Sequence, residues 1–178
     1  MTKEEIIDKI DELEQKIDNI EISEGEDTRK LYFKYRKEIL LLRNELKFID
    51  GPTFVGEEID LYLNKDKSEY DNYYVYMITL HNSKEEIGEL RVSLTDHIFF
   101  GNIGYHINSS FRGHNYALKS LNLIRDSLIE MGKTSLTITT YPENIASKKT
   151  IENFGGKKQQ NSLEWDTYIV DLNSSKIK

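Results

Sequence analysis

The sequence predicts an α+β domain, a mixed sheet flanked by helices, preceded by an N-terminal αα-hairpin. Three observations predict it. Apolar residues recur at helical spacing through the first fifty residues, at strand spacing after Pro52, and in alternating helix and strand segments after Tyr116. With 178 residues, 38% hydrophobic and 31% charged, the chain has globular proportions and room for one well-cored domain plus a modest appendage.

The first apolar stripe is Ile6, Ile10, Leu13, Ile17 and Ile20, at steps of four and three that keep it on one helical face. Thr2 with Glu5 has the spacing of a capping box. Residues 23–27, with Gly25, break this helix. A second stripe of Leu31, Tyr35, Ile39, Leu42, Leu46 and Ile49 runs until Gly51-Pro52 stops it. The short break makes 1–50 an antiparallel hairpin. Lys and Arg number 10 there and Asp and Glu 14, leaving −4, against −3 in the remainder, so the hairpin is no separate charged tail. Its stripes need a partner surface. Packing on the chain's own second domain is the expectation. A homodimer, or a role as one wall of the substrate site, are the alternatives.

After Pro52, short β-branched and aromatic segments at 57–63, 73–80, 87–94 and 102–107 read as strands, parted by polar and Gly-containing stretches. Helix periodicity returns at 116–131 and 145–154, with a strand at 136–140 between them and a final strand at 165–172. The second domain is thus 53–173, and 174–178 is a polar tail. Tyr70, Tyr73, Tyr74 and Tyr76 either line a groove or pack across strands.

Several function classes are excluded. A net charge of −7 argues against non-specific nucleic-acid binding, which needs a surplus of Lys and Arg. Without cysteine there is no disulfide, thiolate metal site or Cys nucleophile. His97 and His114 show no metal-ligand spacing, and no metal is expected. No Ser-His-Asp, P-loop or Rossmann pattern is present. The acidic opening is unlike a signal peptide, and no apolar run reaches membrane-span length, so a cytoplasmic protein is expected.

The informative stretch runs from Gly104 to Leu118. A strand ends near Asn108, and a turn holding Arg112 and Gly113 feeds directly into a helix. The first turn of a helix leaves backbone N–H groups unpaired and carries the positive end of its dipole. A glycine there lets an anion approach the backbone, and Arg112 adds a fixed cation. Such a strand, turn and helix fit a pyrophosphate.

The run Arg112-Gly113-His114-Asn115-Tyr116-Ala117 resembles the acetyl-CoA motif of the GNAT acetyltransferases, Arg/Gln-x-x-Gly-x-Gly/Ala. The preceding Ile103-Gly104-Tyr105-His106-Ile107 looks like that family's splayed fourth strand. Asn144-Ile145-Ala146-Ser147, followed by a short helix and Gly155-Gly156, is similar to its second motif. The resemblance covers roughly 53–173. It implies a GNAT-like mixed twisted sheet whose strands at 103–107 and 136–140 splay apart to admit acetyl-CoA, the co-substrate. It further implies that the backbone of Tyr105 and Ile107 pairs with the acetyl carbonyl and pantetheine arm. The amides of His114, Asn115, Tyr116 and Ala117 then hold the pyrophosphate, Asn144 bonds the pantetheine, and Ser147 caps or orients its helix.

The sequence departs from the family pattern at three positions. Asn115 stands where Gly is usual, and Asn is the residue that best tolerates left-handed geometry after Gly. Ile151 stands where many members place a Tyr that protonates the departing thiolate. Thr139 stands where some place a Glu base. Neither Ile nor Thr does acid–base work at neutral pH. The remaining catalytic candidates are His106, on the strand, and Glu143, in the loop before Asn144. The resemblance therefore implies an N-acetyltransferase moving an acetyl group from acetyl-CoA to a small-molecule or peptide amine by direct attack in a ternary complex. The alternative is a weak or inactive GNAT-like module that binds CoA or a protein partner.

Overall fold

Thr2 opens the first helix as its spacing predicts. Its hydroxyl accepts the Glu5 N–H at 3.1 Å, and the Glu5 carboxylate accepts the Thr2 N–H at 2.8 Å. The structure is a computed structural model that describes residues 1–20, 26–46, 49–64, 68, 74–95, 101–161 and 164–174. Gly25, Tyr70, Tyr73, His97 and tail residues 175–178 lie outside the described residues. The chain divides into two compact units, Met1–Gly51 and Pro52–Lys178.

The first unit is the hairpin. Helix α1 spans Lys3–Asp18 and α2 spans Glu26–Leu46. Their stripes cover one another: Ile6, Ile10, Leu13 and Ile39 are buried together, with Ile17, Tyr35, Leu42, Leu46 and Ile49 packed around them. Each such aliphatic withdrawn from water contributes about 1.5–3 kcal/mol. Glu14 meets Arg43 at 2.7 Å and Lys3 meets Asp50 at 2.9 Å across the pair.

The second unit begins with an antiparallel sheet ordered β1-β2-β3-β4-β5, made of Phe54–Val55, Ile59–Leu63, Tyr74–Leu80, Glu86–Val92 and Ile103–Ile107. Helix α3, Tyr116–Glu130, follows. Then come β6, Ser135–Thr140; α4, Ile145–Asn153; β7, Gly156–Asn161; and β8, Asp166–Asp171. These three strands form a second antiparallel sheet ordered β6-β8-β7. One core serves both sheets: Leu61, Ile78 and Leu90 from the first, Ile138 and Val170 from the second, and Leu121, Ile124 and Ile151 from the helices. Arg125, buried on α3, anchors the end of the described chain by donating to the carbonyls of Asp171, Leu172 and Ser174 at 3.1, 2.8 and 2.8 Å.

The fold class is the one the sequence predicts. The sheet is resolved into two antiparallel halves, because the chain just before β5 meets β6 at an isolated bridge between Gly101 and Ile138 and at Asn102–Thr137, while β5 itself forms no ladder with β6 among the described residues. Two strands escape the periodicity argument. β1 has two residues, and β7, Gly156–Asn161, reads GKKQQN with no apolar alternation at all. β7 is stabilised by pairing with β8 rather than by a buried face of its own.

Candidate functional site

The separation of β5 from β6 opens a cleft of about 450 Å³ between β5, the turn after it, the start of α3 and the inner face of α4. Tyr105 and Ile107 line it from β5. The pleat of a strand sends successive side chains to opposite faces. His106 borders the cleft too, while its side chain is exposed on the other face, beside its cross-strand partner Glu89 of β4.

The turn is shaped for close approach. Arg112 donates its Nε–H to the Ile107 carbonyl at 3.0 Å, which fixes its guanidinium at the rim. Gly113 has φ +89°, a left-handed conformation that side-chain-bearing residues rarely adopt, and open space lies where a Cβ would point. Asn115 is also left-handed, φ 60° and ψ 21°, as an Asn replacing a Gly must be to keep the turn. Its side chain makes no capping bond to α3, so the first-turn amides of that helix face the cleft without a side-chain cap. Tyr116 and Ala117 continue the lining. The His114 side chain turns away from the lining; it is exposed and stacks on Tyr116 with ring centres 5.4 Å apart.

Opposite, α4 is capped by Asn144, whose Oδ1 accepts the Ser147 N–H at 3.0 Å. Of the two roles expected of Ser147, capping or orienting its helix, the cap falls to Asn144 instead. Ser147 lies inside the first turn, whereas a capping side chain must sit at the flanking non-helical position, which Asn144 occupies. The Ser147 hydroxyl instead meets the Tyr105 phenol at 2.8 Å across the cleft. Burial pushes the Tyr105 phenol above its ordinary pKa, partly offset by hydrogen bonds from Ser147 and Thr150. Glu143 is exposed in the preceding loop and does not line the cleft.

Sequence reasoning missed Lys149, Thr150 and Asn153, which line the cleft from α4. Their signal was there: Ala146, Thr150 and Asn153 recur at four and three, one helical face. Ile151 points the other way. It is fully buried, and a Cβ on Gly156 would come within 2.5 Å of its Cγ2, so that position belongs to the core. Among the described lining residues the fixed charges are Arg112 and Lys149, with no carboxylate, in a chain of net charge −7. A cationic cleft with uncapped helix amides suits a polyanion bearing phosphates. No group of three or more metal-ligating side chains occurs among the described residues.

Residues 26–157 match the family profile described as Acetyltransferase (GNAT) domain. The chain belongs to the GNAT acetyltransferase family. As a GNAT acetyltransferase it is a member of an acetyl-CoA-dependent N-acetyltransferase family, whose members acetylate amine acceptors. Its match begins within α2, so the second helix of the hairpin falls inside the family region.

Solved structures show the same fold. A GCN5-related N-acetyltransferase from Brucella melitensis superposes with a TM-score of 0.55 at 13% identity, over 67% of this chain and 78% of that one. A ribosomal-protein-S5-alanine acetyltransferase from Vibrio fischeri gives 0.50 at 16% identity, over 61% and 67%. An acetyltransferase from Agrobacterium tumefaciens, at a TM-score of 0.49 and 19% identity over 58% and 63%, adds nothing to that likeness. The chain thus spans less than two thirds of the Agrobacterium protein. No curated protein matches the chain by sequence. No helix among the described residues is long and apolar enough to cross a membrane.

Proposed function

We propose that this GNAT acetyltransferase moves an acetyl group from acetyl-CoA to a primary amine by direct attack in a ternary complex. The observation that carries the reading is the cleft: it opens where β5 leaves β6, presents Arg112, Lys149 and uncapped α3 amides, and contains no carboxylate among its described lining. Acetyl-CoA supplies an electrophilic thioester.

The chain's residues supply binding and orientation. Arg112, the Gly113 backbone and the amides of His114, Asn115, Tyr116 and Ala117 hold the pyrophosphate, and Lys149 faces it from α4. The edge of β5 that faces away from β4, at Tyr105 and at the Ile107 N–H, bonds the pantetheine amides and the acetyl carbonyl, the Ile107 carbonyl being taken by Arg112. Asn144 commits Oδ1 to the helix cap and keeps its Nδ2–H for the pantetheine. His106 lies on the strand face opposite Tyr105 and is placed to take the proton of an amine arriving from that side. Glu143, outside the cleft, is an acceptor-contact residue in this reading rather than the base. Orientation within the complex provides much of the acceleration that direct attack requires.

The acceptor is a small-molecule or peptide amine. The name of the Vibrio fischeri neighbour, an acetyltransferase of a ribosomal-protein alanine, supports testing peptide α-amines first. We place the protein in the cytoplasm and expect it to act without a metal. Ile151 in the core and Thr139 on β6 support a second reading, a CoA-binding module without turnover. Calorimetric titration with CoA, followed by thioester consumption over a panel of peptide and small amines, separates the two. Binding with turnover is expected. Binding without turnover gives the second reading, and no binding at millimolar CoA overturns both.

A further inference from the structure

Glu89 and Arg91 of β4 alternate with the core residues Leu90 and Val92, and the register sets them opposite His106 and Gly104 of β5. All four positions lie on the sheet face opposite Tyr105. On β3 and β2 the same rows continue as Met77, Tyr62 and Val75, all buried and apolar in contact. The charges on these rows are thus confined to the two strands nearest the cleft. Glu89 Oε1 accepts the Arg91 Nε–H at 2.8 Å, with the Glu89 side chain 23% exposed and that of Arg91 49%. Across from Arg91, a Cβ built on Gly104 would meet only the Arg91 Cβ, at 3.9 Å, an ordinary contact. Gly104 is not left-handed either. Neither space nor backbone conformation requires glycine there. A glycine inside a strand weakens it, and where folding does not demand one it marks a place of close approach. The absent side chain leaves a notch over β5, bordered by Arg91, Glu89 and His106 and next to the Tyr105 backbone.

We propose that the notch over Gly104 seats the acceptor, and that the Glu89–Arg91 pair selects an α-amine with a carbonyl on the neighbouring carbon. That is the pattern of a peptide N-terminus or a free amino acid. The inference rests on the acetyl-transfer reading and names its acceptor class. Glu89 accepts from the arriving ammonium group, a charge-assisted bond that its shelter from water strengthens. Arg91 donates to the carbonyl oxygen through the terminal N–H groups of its guanidinium, whose planar fork suits such an acceptor. The two side chains touch, so the groups they bind must be close together in the acceptor. In an α-amine the nitrogen and the carbonyl flank a single carbon. A Lys side-chain amine or a plain alkylamine carries no carbonyl near its nitrogen and leaves Arg91 unmatched, which a site built for that bond penalises.

The alternative is that Glu89 and Arg91 form a solvated surface pair with no part in recognition. Acetyl-CoA consumption separates the two, measured with L-alanyl-L-alanine, L-alanine, 2-aminobutane and the side-chain amine of Nα-acetyl-L-lysine amide, and compared per unprotonated amine. The wild-type protein should favour the two α-amino carbonyl compounds by roughly 10–100-fold in kcat/KM, the worth of a hydrogen bond to a charged group. The dipeptide against free alanine tells a chain end from a single amino acid. Arg91→Gln should bring that preference close to unity, and Glu89→Gln should raise KM for the α-amines roughly tenfold or more. Gly104→Val, a residue strands favour, fills the notch and should raise the acceptor KM while calorimetry shows CoA affinity unchanged. Equal use of 2-aminobutane or the lysine amide by the wild-type protein overturns the proposal and leaves acetyl transfer standing. So does an Arg91→Gln variant that keeps the preference, or a folded Gly104→Val variant with its acceptor KM unchanged. CoA binding without consumption by any of the four amines instead fails the acetyl-transfer reading itself, and this inference with it.

Discussion

Asn102 and Thr137 join the two sheets: the Asn102 N–H donates to the Thr137 carbonyl at 2.6 Å, and the Thr137 N–H donates to Asn102 Oδ1 at 2.8 Å. Asn102 is wholly buried, and its Nδ2 also serves the carbonyls of Ser93 and Thr95 at 3.3 and 3.2 Å. Asn102→Ala would take a partner from the half-buried Thr137 N–H and from the Ser93 carbonyl, while the Thr95 carbonyl keeps the Ser93 hydroxyl at 2.9 Å, at roughly 1–3 kcal/mol for each group left unpaired. Denaturant unfolding should show a loss in that range, with a Tm lower by several degrees. An unchanged midpoint would mean that the sheets are held by apolar packing alone.

The phosphate turn can be tested at Gly113 and Asn115. Gly113→Val puts a β-branched residue at φ +89°, a strain of about 1–3 kcal/mol, with open space around the new side chain. The fold should survive while CoA affinity drops tenfold or more. Asn115→Gly relieves a left-handed residue whose side chain caps nothing, and should tighten CoA binding a few-fold. Calorimetry on both variants checks this; equal affinities throughout would place the phosphates elsewhere.

Asp166 governs the acid limb of stability. Its buried carboxylate meets Lys148 of α4 at 2.6 Å and Lys158 of β7 at 2.9 Å. The two ammonium groups hold its pKa below the ordinary carboxylate range. A lowered folded-state pKa means stability that is present above the unfolded value, about pH 4, and lost as the pH falls through the folded value. Asp166→Asn should lower Tm at neutral pH and flatten the acid side of the Tm profile. A variant with an unshifted profile would show that the pair is neutral to folding.

In the hairpin, Leu13 is 2% exposed at the centre of the shared stripe. Leu13→Ala should cost about 2–5 kcal/mol of hairpin stability, read as faster amide exchange in α1 and α2. Because the stripes cover one another, light scattering on the intact chain should give a monomer. A dimer would implicate Leu31, Phe33, Leu40 and Leu41, the large side chains that α2 leaves exposed.

Periodicity and caps were enough to read most elements, because each such signal is local. Helix α3 begins at Tyr116 and α4 at Ile145, both as the spacing predicts. β7 was illegible because GKKQQN carries no face to bury and takes its conformation from β8. The left-handed turn after β5 was legible because Arg112, Gly113 and Asn115 are neighbours in sequence. The Tyr105–Ser147 contact was not, since it exists only once strand and helix are apposed. The cap fell to Asn144, the residue just before the helix start that the spacing predicts, because a capping side chain sits at the flanking position and Ser147 lies inside the first turn.

The strand orders also bear on solubility. Four described strands end a sheet: β1, β5, β6 and β7. Unpaired edges invite pairing with other molecules, and natural proteins blunt them by shortness, lysine or shelter. β1 is only two residues long, and β7 carries Lys157 and Lys158. β5 turns its stretch at Tyr105 and Ile107 toward the cleft. The cleft thus shelters the β5 edge from self-association. Variants that widen it, such as Asn102→Ala, should aggregate sooner than their loss of stability alone would predict.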